Sequence, residues 1–189
     1  MSFLEKINSV AAKINPNTII AVSALMISVL ALVISIQEVR IMRSQQKASM
    51  YPYLTIGRAY NSSGFGVEVK NSGNGIAKIN SYQVYNDSIY FKDWFDLITK
   101  LCPDCEGIDY GIAGSTNIQN QMITPGEEVR LFFVKWTEET RKLERKISDF
   151  TVRVCYSSLL DDHWKVEGEG PIQLEKPCEV IVDREFELN

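Results

Sequence analysis

Hydrophobic positions are densest near the start of the chain, between Thr18 and Ile36. These nineteen consecutive residues include no charged side chain, proline, glycine or amide. At the helical rise per residue they form a helix of roughly 28 Å, about the thickness of the hydrocarbon core of a bilayer. The pattern predicts one transmembrane helix over residues 18–36.

The residues after this run argue against a cleaved signal peptide. The apolar run is longer than a typical signal-peptide core, and no small-x-small cleavage pattern follows it at Gln37-Glu38-Val39-Arg40. We therefore expect the helix to be retained as a membrane anchor.

Small residues form one stripe along the predicted helix, at spacings of three and four: Ala21, Ala24, Ser28, Ala31 and Ser35. Helices in lipid associate where small residues let two backbones approach. A mean spacing of 3.5 residues suits a left-handed crossing between copies. We expect a homo-oligomer held through this stripe; the alternative is that the stripe faces lipid.

The segments that flank the span also have helical patterns. In residues 1–17, the apolar side chains lie on one helical face and the lysines lie elsewhere. This pattern predicts an amphipathic helix at the membrane interface, and the alternative is a frayed tail. Residues 37–50 contain no helix breaker, so the helix should continue as a stalk until Pro52. The interfacial face consists of Phe3, Ile7, Val10 and Ile14.

From residue 51 the hydrophobic period changes from helical to alternating. Residues 150–156 alternate apolar and polar side chains, and turn-forming segments such as 71–75 and 124–127 separate similar stretches. About seven short strands of this kind predict a mainly β domain over residues 51–189, an Ig-like antiparallel β-sandwich. We expect its last strand at residues 179–182.

One segment within this domain has a helical period, which predicts a short helical insertion over residues 92–101. Its apolar residues should pack into the core rather than line a binding groove: Phe91, Trp94, Phe95, Ile98 and Leu101. The highly charged residues 137–148 should form a solvated helix or loop between two strands. The long, glycine-containing loop over residues 102–118 is the place where we expect recognition.

Charge is distributed unevenly along the chain. Residues 1–50 carry five basic and two acidic side chains, a net charge of +3, and residues 51–189 carry fifteen basic and twenty-two acidic, a net charge of −7. Basic residues beside a span attract anionic lipid headgroups, so the lipid bilayer is an expected partner. An acidic domain is repelled by nucleic-acid phosphates, which excludes nucleic acid as an expected partner.

Four cysteines lie in the predicted β domain: Cys102, Cys105, Cys155 and Cys178. They indicate either one or two disulfides in an oxidising compartment or reduced thiols in a cytoplasm. Cys102-Pro-Asp-Cys105 has the spacing of half a zinc site, but the other two cysteines and the single histidine do not complete it. Free thiols and one or two disulfides stay open ahead of a metal site, so we predict no metal and no cofactor.

The sequence offers no convincing catalytic set. His163, the only histidine, lies in a predicted turn, and no nucleophile elbow or phosphate-binding loop accompanies it. We therefore predict a protein that is not an enzyme.

One segment carries a resemblance to known proteins. Val69-Lys70-Asn71-Ser72-Gly73-Asn74-Gly75-Ile76-Ala77, together with the span, the stalk and a Pro-Tyr-Leu strand start, resembles a broad group of uncharacterised bacterial single-span membrane proteins. The resemblance implies an Ig-like or CARDB-like β-sandwich and a bacterial plasma membrane, and it implies no activity. Ile76 stands where the group often has proline.

Two functions remain from different classes. The first is a membrane-anchored binding or interaction module, sensory or scaffolding, that contacts an unknown protein partner through its β domain. The second is an oligomerising effector that perturbs the bilayer when the β domain receives a signal. The span is poor in polar residues, which favours the binding module.

The side of the membrane on which the domain lies is not settled by charge. Lys6, Lys13 and the amino terminus precede the span, and Arg40, Arg43 and Lys47 follow it. The compact basic cluster and the resemblance favour a cytoplasmic domain, whereas four cysteines favour export. We expect a cytoplasmic domain, with the exported domain as the alternative.

Overall fold

The computed structural model describes most of the 189-residue chain, in four stretches: residues 15–105, 111–147, 149–168 and 170–187. The chain divides into two compact units, residues 1–46 and residues 47–189. Most of the predicted interfacial helix, residues 1–14, lies outside the described residues.

The first described element is a long helix, α1, over Pro16–Ser49. Proline suits the first helical position because its missing N–H would have no partner there, and the Asn15 carbonyl accepts a hydrogen bond from the Thr18 N–H at 2.8 Å. The 34 residues of α1 extend over about 51 Å, and none of them is buried. In the described part of the chain, α1 is the one helix long and apolar enough to cross a membrane.

The second unit contains two antiparallel sheets. The strands of the first sheet, in spatial order, are Leu54–Tyr60 (β1), Gly64–Asn71 (β2), Glu128–Lys135 (β7) and Ile112–Ser115 (β5). The strands of the second, in spatial order, are Pro171–Leu174 (β10), His163–Glu167 (β9), Thr151–Ser157 (β8), Ala77–Asn86 (β3) and Ile89–Phe91 (β4), with Met122–Ile123 (β6) also paired to β3.

Alternating residues of both sheets bury their side chains in one hydrophobic cluster. Successive side chains of a strand point to opposite faces, so one face of each sheet contributes to the cluster. From the first sheet come Val67, Val69, Leu131, Phe132 and Val134, and from the second come Tyr82, Val84, Val154, Tyr156, Trp164 and Val166. The adjacent residues Leu131 and Phe132 are both in the cluster because the register between β2 and β7 shifts at this point. The structure is therefore a long apolar helix and a domain of antiparallel sheets with short helices.

A short helix, α2, spans Trp94–Leu101. It begins after Asp93, whose carboxylate accepts a hydrogen bond from the Asp96 N–H at 2.7 Å, the usual role of an N-cap. The Trp94 ring stacks on the Phe132 ring of β7 with centroids 4.7 Å apart, so α2 packs against the first sheet.

The aromatic stripe predicted for this segment is only partly buried. Phe91, Trp94 and Ile98 are in the core, but Phe95 is 63% exposed and Leu97, one position outside the predicted stripe, is fully buried. The buried face of α2 follows Trp94, Leu97 and Ile98, at spacings of three and four, which turns Phe95 outward. The prediction for Phe95 was wrong.

Two further segments differ in detail from the expectation. The charged residues 137–148 contain a helix over Thr140–Lys146 (α3), and Leu143 of this helix is fully buried. The predicted last strand over residues 179–182 is absent from the described structure, which has a short 3-10 helix over Val182–Arg184 instead. In the described structure, no strand of either sheet pairs with residues 179–182. The residues on the two sides of this segment, Cys178 and Glu185, are fixed by contacts described below.

Candidate functional site

The polar face of the second sheet is covered by the C-terminal segment. Residues that alternate with the buried row point away from the core, among them Ser81 and Gln83 of β3 and Cys155 of β8. Although they face away from the core, these three side chains are only 1%, 4% and 4% exposed. We call residues 178–187, which cover them, the C-terminal strap.

A disulfide fixes the first end of the strap. Cys178 is bonded to Cys155, and the two are 23 residues apart in sequence. The other two cysteines also form a disulfide, Cys102–Cys105, and both are buried. All four candidate residues are therefore placed in two separate pairs.

A carboxylate fixes the second end of the strap. Glu185 is 5% exposed, and one of its oxygens accepts hydrogen bonds from the Ser81 hydroxyl at 2.7 Å and from the Gln83 amide at 3.1 Å. The other oxygen accepts hydrogen bonds from the Tyr82 backbone N–H at 2.9 Å and from the Gln119 amide at 3.3 Å. All four donors are neutral, and the described residues form no ion pair with Glu185. We call these four donors the carboxylate cradle.

The next residue of the strap enters the core. Phe186 is fully buried, with ring centroids 5.1 Å from Tyr82 and 4.8 Å from Trp94. Its N–H donates to the Tyr82 carbonyl at 2.8 Å, and the Glu187 N–H donates to the Lys92 carbonyl at 2.7 Å. The main chain of Phe186 is therefore hydrogen-bonded to the edge of β3. The bond lies between residues 77–78 of β3, which pair with β6, and residues 84–86, which pair with β4.

Two polar atoms, one on each of the rings that contact Phe186, have no hydrogen-bond partner among the residues that the structure describes. They are the hydroxyl of Tyr82 and the indole nitrogen of Trp94, both on buried side chains. Burial raises the pKa of the Tyr82 phenol well above its ordinary value, so the group is a neutral hydroxyl. The cavity for the Phe186 ring is therefore aromatic, and each of the two rings that contact Phe186 carries an unused donor. We call it the aromatic pocket.

A second pocket, of about 250 Å³, lies between the strap and the sheet. On its sheet side, Arg153 donates two hydrogen bonds to Glu167, at 3.0 and 3.1 Å, and Lys165 also lies 3.3 Å from that carboxylate. Burial raises the pKa of Glu167 above its ordinary value. On the strap side, the Arg184 guanidinium lies over the Tyr90 ring at 4.9 Å.

The predicted membrane stripe lies wholly on exposed positions of α1. The Ser28 hydroxyl donates to the Ala24 carbonyl at 2.8 Å within the helix, so it is already satisfied without a partner helix. The predicted recognition loop after α2 lies partly outside the described residues, at 106–110. His163 begins β9, and its buried Nδ1 has no hydrogen-bond partner in the part of the chain that the structure describes.

With this geometry established, comparison with known proteins gives one family. Residues 17–174 match a family described as Domain of unknown function (DUF8453). The chain belongs to this family. No curated protein and no solved structure matches the chain. The match to DUF8453 includes nearly all of α1, all ten described strands and all four donors of the carboxylate cradle, whereas Cys178, Glu185 and Phe186 of the strap lie beyond it.

Sequence reasoning missed both Glu185 and Phe186. They lie in an acidic C-terminal stretch in which one phenylalanine gives no periodic signal, and alternation suggested a strand that ended at residue 182. The one available indication was that Phe186 lies between two glutamates. A phenylalanine favours burial, whereas the charged residues around it favour solvent.

Proposed function

We propose that this protein is a single-pass, membrane-anchored binding module, sensory or scaffolding, that acts through its β domain on a protein partner. The observation that carries the proposal is the division of the chain into an exposed apolar helix and a domain with its own core. A helix with no buried residue contributes nothing to that core, so its apolar surface needs another environment, which lipid provides.

We also propose that the domain is an Ig-like sandwich of the kind found in the bacterial single-span group that the sequence resembles. Two antiparallel sheets that contribute to one buried cluster support this proposal. Domains of this class bind through loops, strand edges and sheet faces rather than through catalytic clefts, in keeping with a protein that is not an enzyme.

An oligomerising effector is the alternative that must be separated from the binding module. A pore needs a polar inner face, and the span offers three serines. Two of them are used within the helix, because the hydroxyls of Ser23 and Ser28 donate to the carbonyls of Ile20 and Ala24 at 2.9 and 2.8 Å. This weakens the case for a water-filled channel and supports the binding module.

A helix exchange tests the proposal in cells. Residues 16–46 are replaced by an unrelated single-span helix of equal length, and the β domain carries the same photo-cross-linker in both chains. A binding module keeps its pattern of cross-linked proteins after the exchange and leaves the membrane potential intact. Collapse of the membrane potential by the original chain alone would favour the effector.

We propose that α1 also associates with a second copy through its small-residue stripe. Ser28→Leu adds bulk to the stripe, and Ser23→Leu makes the same exchange on another face of the helix, at a serine whose hydroxyl also donates within α1. In detergent, the first substitution should reduce the oligomer size and the second should not. Equal sizes for both variants and the original chain would rule out the stripe.

We propose that the β domain lies on the exported, oxidising side, contrary to the sequence-based expectation. Two disulfides support this placement, since such bonds persist in oxidising compartments and are rare in a cytoplasm. Cells are quenched in acid and the denatured protein is alkylated with and without prior reduction. We expect alkylation of the four cysteines only after reduction; four reactive thiols without reductant would place the domain in the cytoplasm.

A further inference from the structure

The contacts of the strap are those of a bound peptide more than those of a strand within a sheet. Two adjacent residues provide most of them: Glu185 places a carboxylate on four neutral donors, and Phe186 places a ring between two aromatic side chains. A main-chain hydrogen bond to the Tyr82 carbonyl sets the register. Pockets for side chains combined with main-chain bonds at a strand edge are the usual means of peptide recognition by β-sheets.

The recognition surface and its occupant belong to different parts of the chain. The carboxylate cradle and the aromatic pocket are built from residues 81–119, within the residues matched to DUF8453, and the strap lies beyond that match. The six residues that connect Cys178 to Glu185 include Val180 and Val182, which are 47% and 75% exposed. The strap therefore contacts the sheet firmly at its two ends and loosely between them.

The aromatic pocket is not completely matched to its occupant. The hydrocarbon ring of Phe186 has no lone pair for the Tyr82 hydroxyl or the Trp94 indole N–H, and neither group has a hydrogen-bond partner among the described residues. Buried donors without partners are costly, so a ligand whose acceptor reached either group would remove a penalty that Phe186 leaves in place.

We propose that the edge of β3 is a docking groove for an extended segment of a protein partner, in which a carboxylate residue directly precedes an aromatic residue, and that the strap occupies this groove in cis. The proposal rests on the proposed function, for which it names the docking surface and the chemistry of the partner. The carboxylate is recognised by the cradle and the aromatic ring by the aromatic pocket. The strap then acts as a competitor that a partner must displace.

The probe is a fluorescein-labelled peptide with the sequence of residues 179–187, measured by fluorescence anisotropy against the full chain in detergent. In the chain with Glu185→Ala and Phe186→Ala the strap no longer competes, so the peptide should bind saturably. The unaltered chain should bind the peptide at least about tenfold more weakly, because a tethered segment competes at high effective concentration.

Substitutions in the peptide test the recognition chemistry. Glu185→Gln or Phe186→Ala in the peptide should weaken binding about tenfold or more, since each removes charge-assisted hydrogen bonds or a buried ring. Glu187→Gln is the matched control, because it removes the same charge two residues away, and should bind like the unaltered peptide. Absence of binding to the substituted chain, or equal binding to both chains, would overturn the proposal.

A second design covers the case in which the doubly substituted chain does not fold. A protease site placed between Val180 and Ile181 allows the strap to be cut in the otherwise unaltered, folded chain. We expect the labelled peptide to exchange into the cut protein. Loss of the fold on cutting, or no exchange, would show that the strap is a fixed part of the core. Either result leaves the helix-exchange test unaffected, so failure of the groove is distinguishable from failure of the binding module.

Discussion

Replacement of Glu185 by glutamine should destabilise the β domain measurably without changing the shape of the side chain. The carboxylate accepts four hydrogen bonds from neutral donors at 2.7–3.3 Å and is 5% exposed. A glutamine keeps one acceptor oxygen and turns an N–H₂ group towards two of the donors. The Ser81 hydroxyl can rotate and accept a hydrogen bond from this N–H₂ group. The Gln83 amide N–H₂, however, then faces another donor and loses its acceptor.

The expected loss follows from these contacts. Hydrogen bonds to a charged group contribute about 1.5–3 kcal/mol each, and roughly two of the four are lost, so we expect a decrease of about 3–6 kcal/mol in the free energy of unfolding. Domains of this size have total stabilities of about 5–15 kcal/mol, so the change should be large enough to measure.

The assay is urea unfolding of the full chain in nonionic detergent, followed by tryptophan fluorescence. Trp94 is a suitable reporter because its ring centroid lies 4.8 Å from that of Phe186, the residue next to Glu185. Glu187→Gln is the control, since it removes an equal charge from an exposed position of the strap. If both variants lose the same free energy within about 0.5 kcal/mol, the carboxylate cradle does not hold the strap.

Three further predictions concern other parts of the domain. Two hydrogen bonds from the Thr124 N–H and hydroxyl, at 2.7 and 2.8 Å, hold the pKa of Glu127 below its ordinary value. The stability that they give is present at pH values above that ordinary value and is lost as the pH falls through the depressed pKa. Thr124→Val removes the hydroxyl bond and should raise the pKa of Glu127, which NMR measures. Cys155→Ser opens a cross-link of 23 residues and should cost about 3–4 kcal/mol in urea unfolding. Gly66→Ala should cost about 1–3 kcal/mol, because a methyl group there would collide with a backbone carbonyl of β7, whereas Gly57→Ala meets no atom within 4 Å and should be neutral.

Each of these predictions has a result that contradicts it. An unchanged Glu127 pKa in the Thr124 variant would mean that the Thr124 hydroxyl does not hold the carboxylate. Equal unfolding curves with and without Cys155 would mean that the cross-link does not constrain the unfolded chain. Similar losses for the two glycine variants would show that the close approach of β2 and β7 is not what requires Gly66.

The parts of the fold that the sequence predicted are those with a local period. The nineteen uncharged residues 18–36 lie within one exposed helix, and the alternation over residues 150–156 corresponds to β8, with Val152, Val154 and Tyr156 in the core. Burial acts on every second residue of β8, and the apolar character of α1 extends over an unbroken run, so each requirement is visible in the order of residues.

The candidate site was not predictable in the same way, because its parts meet only through the topology. Ser81, Gln83 and Gln119 share no pattern with Glu185, which follows them by 66 to 104 residues. Polar residues on the outer row of a sheet look like ordinary solvent-facing positions until a separate segment covers them. The cysteines showed that pairing was possible, but four cysteines allow three pairings and spacing alone does not choose between them.

Phe95 shows a similar limit at smaller scale. Its spacing from Phe91 and Ile98 fits one helical face, yet α2 begins only at Trp94, after the Asp93 cap, so Phe91 lies in β4 and does not extend the helical stripe. The phase of the helix is fixed by its packing against Phe132, a contact that no local pattern contains.

The central claim is that α1 is a retained membrane anchor for a separately folded binding domain, and membrane extraction combined with intact-mass measurement tests it most directly. Membranes from cells that express the full chain are washed in alkaline carbonate, and the mass of the protein in each fraction is determined. We predict that the protein stays in the membrane pellet with the full chain mass of 21.5 kDa. A soluble protein, or one shortened by removal of residues 1–36 or more, would contradict the account.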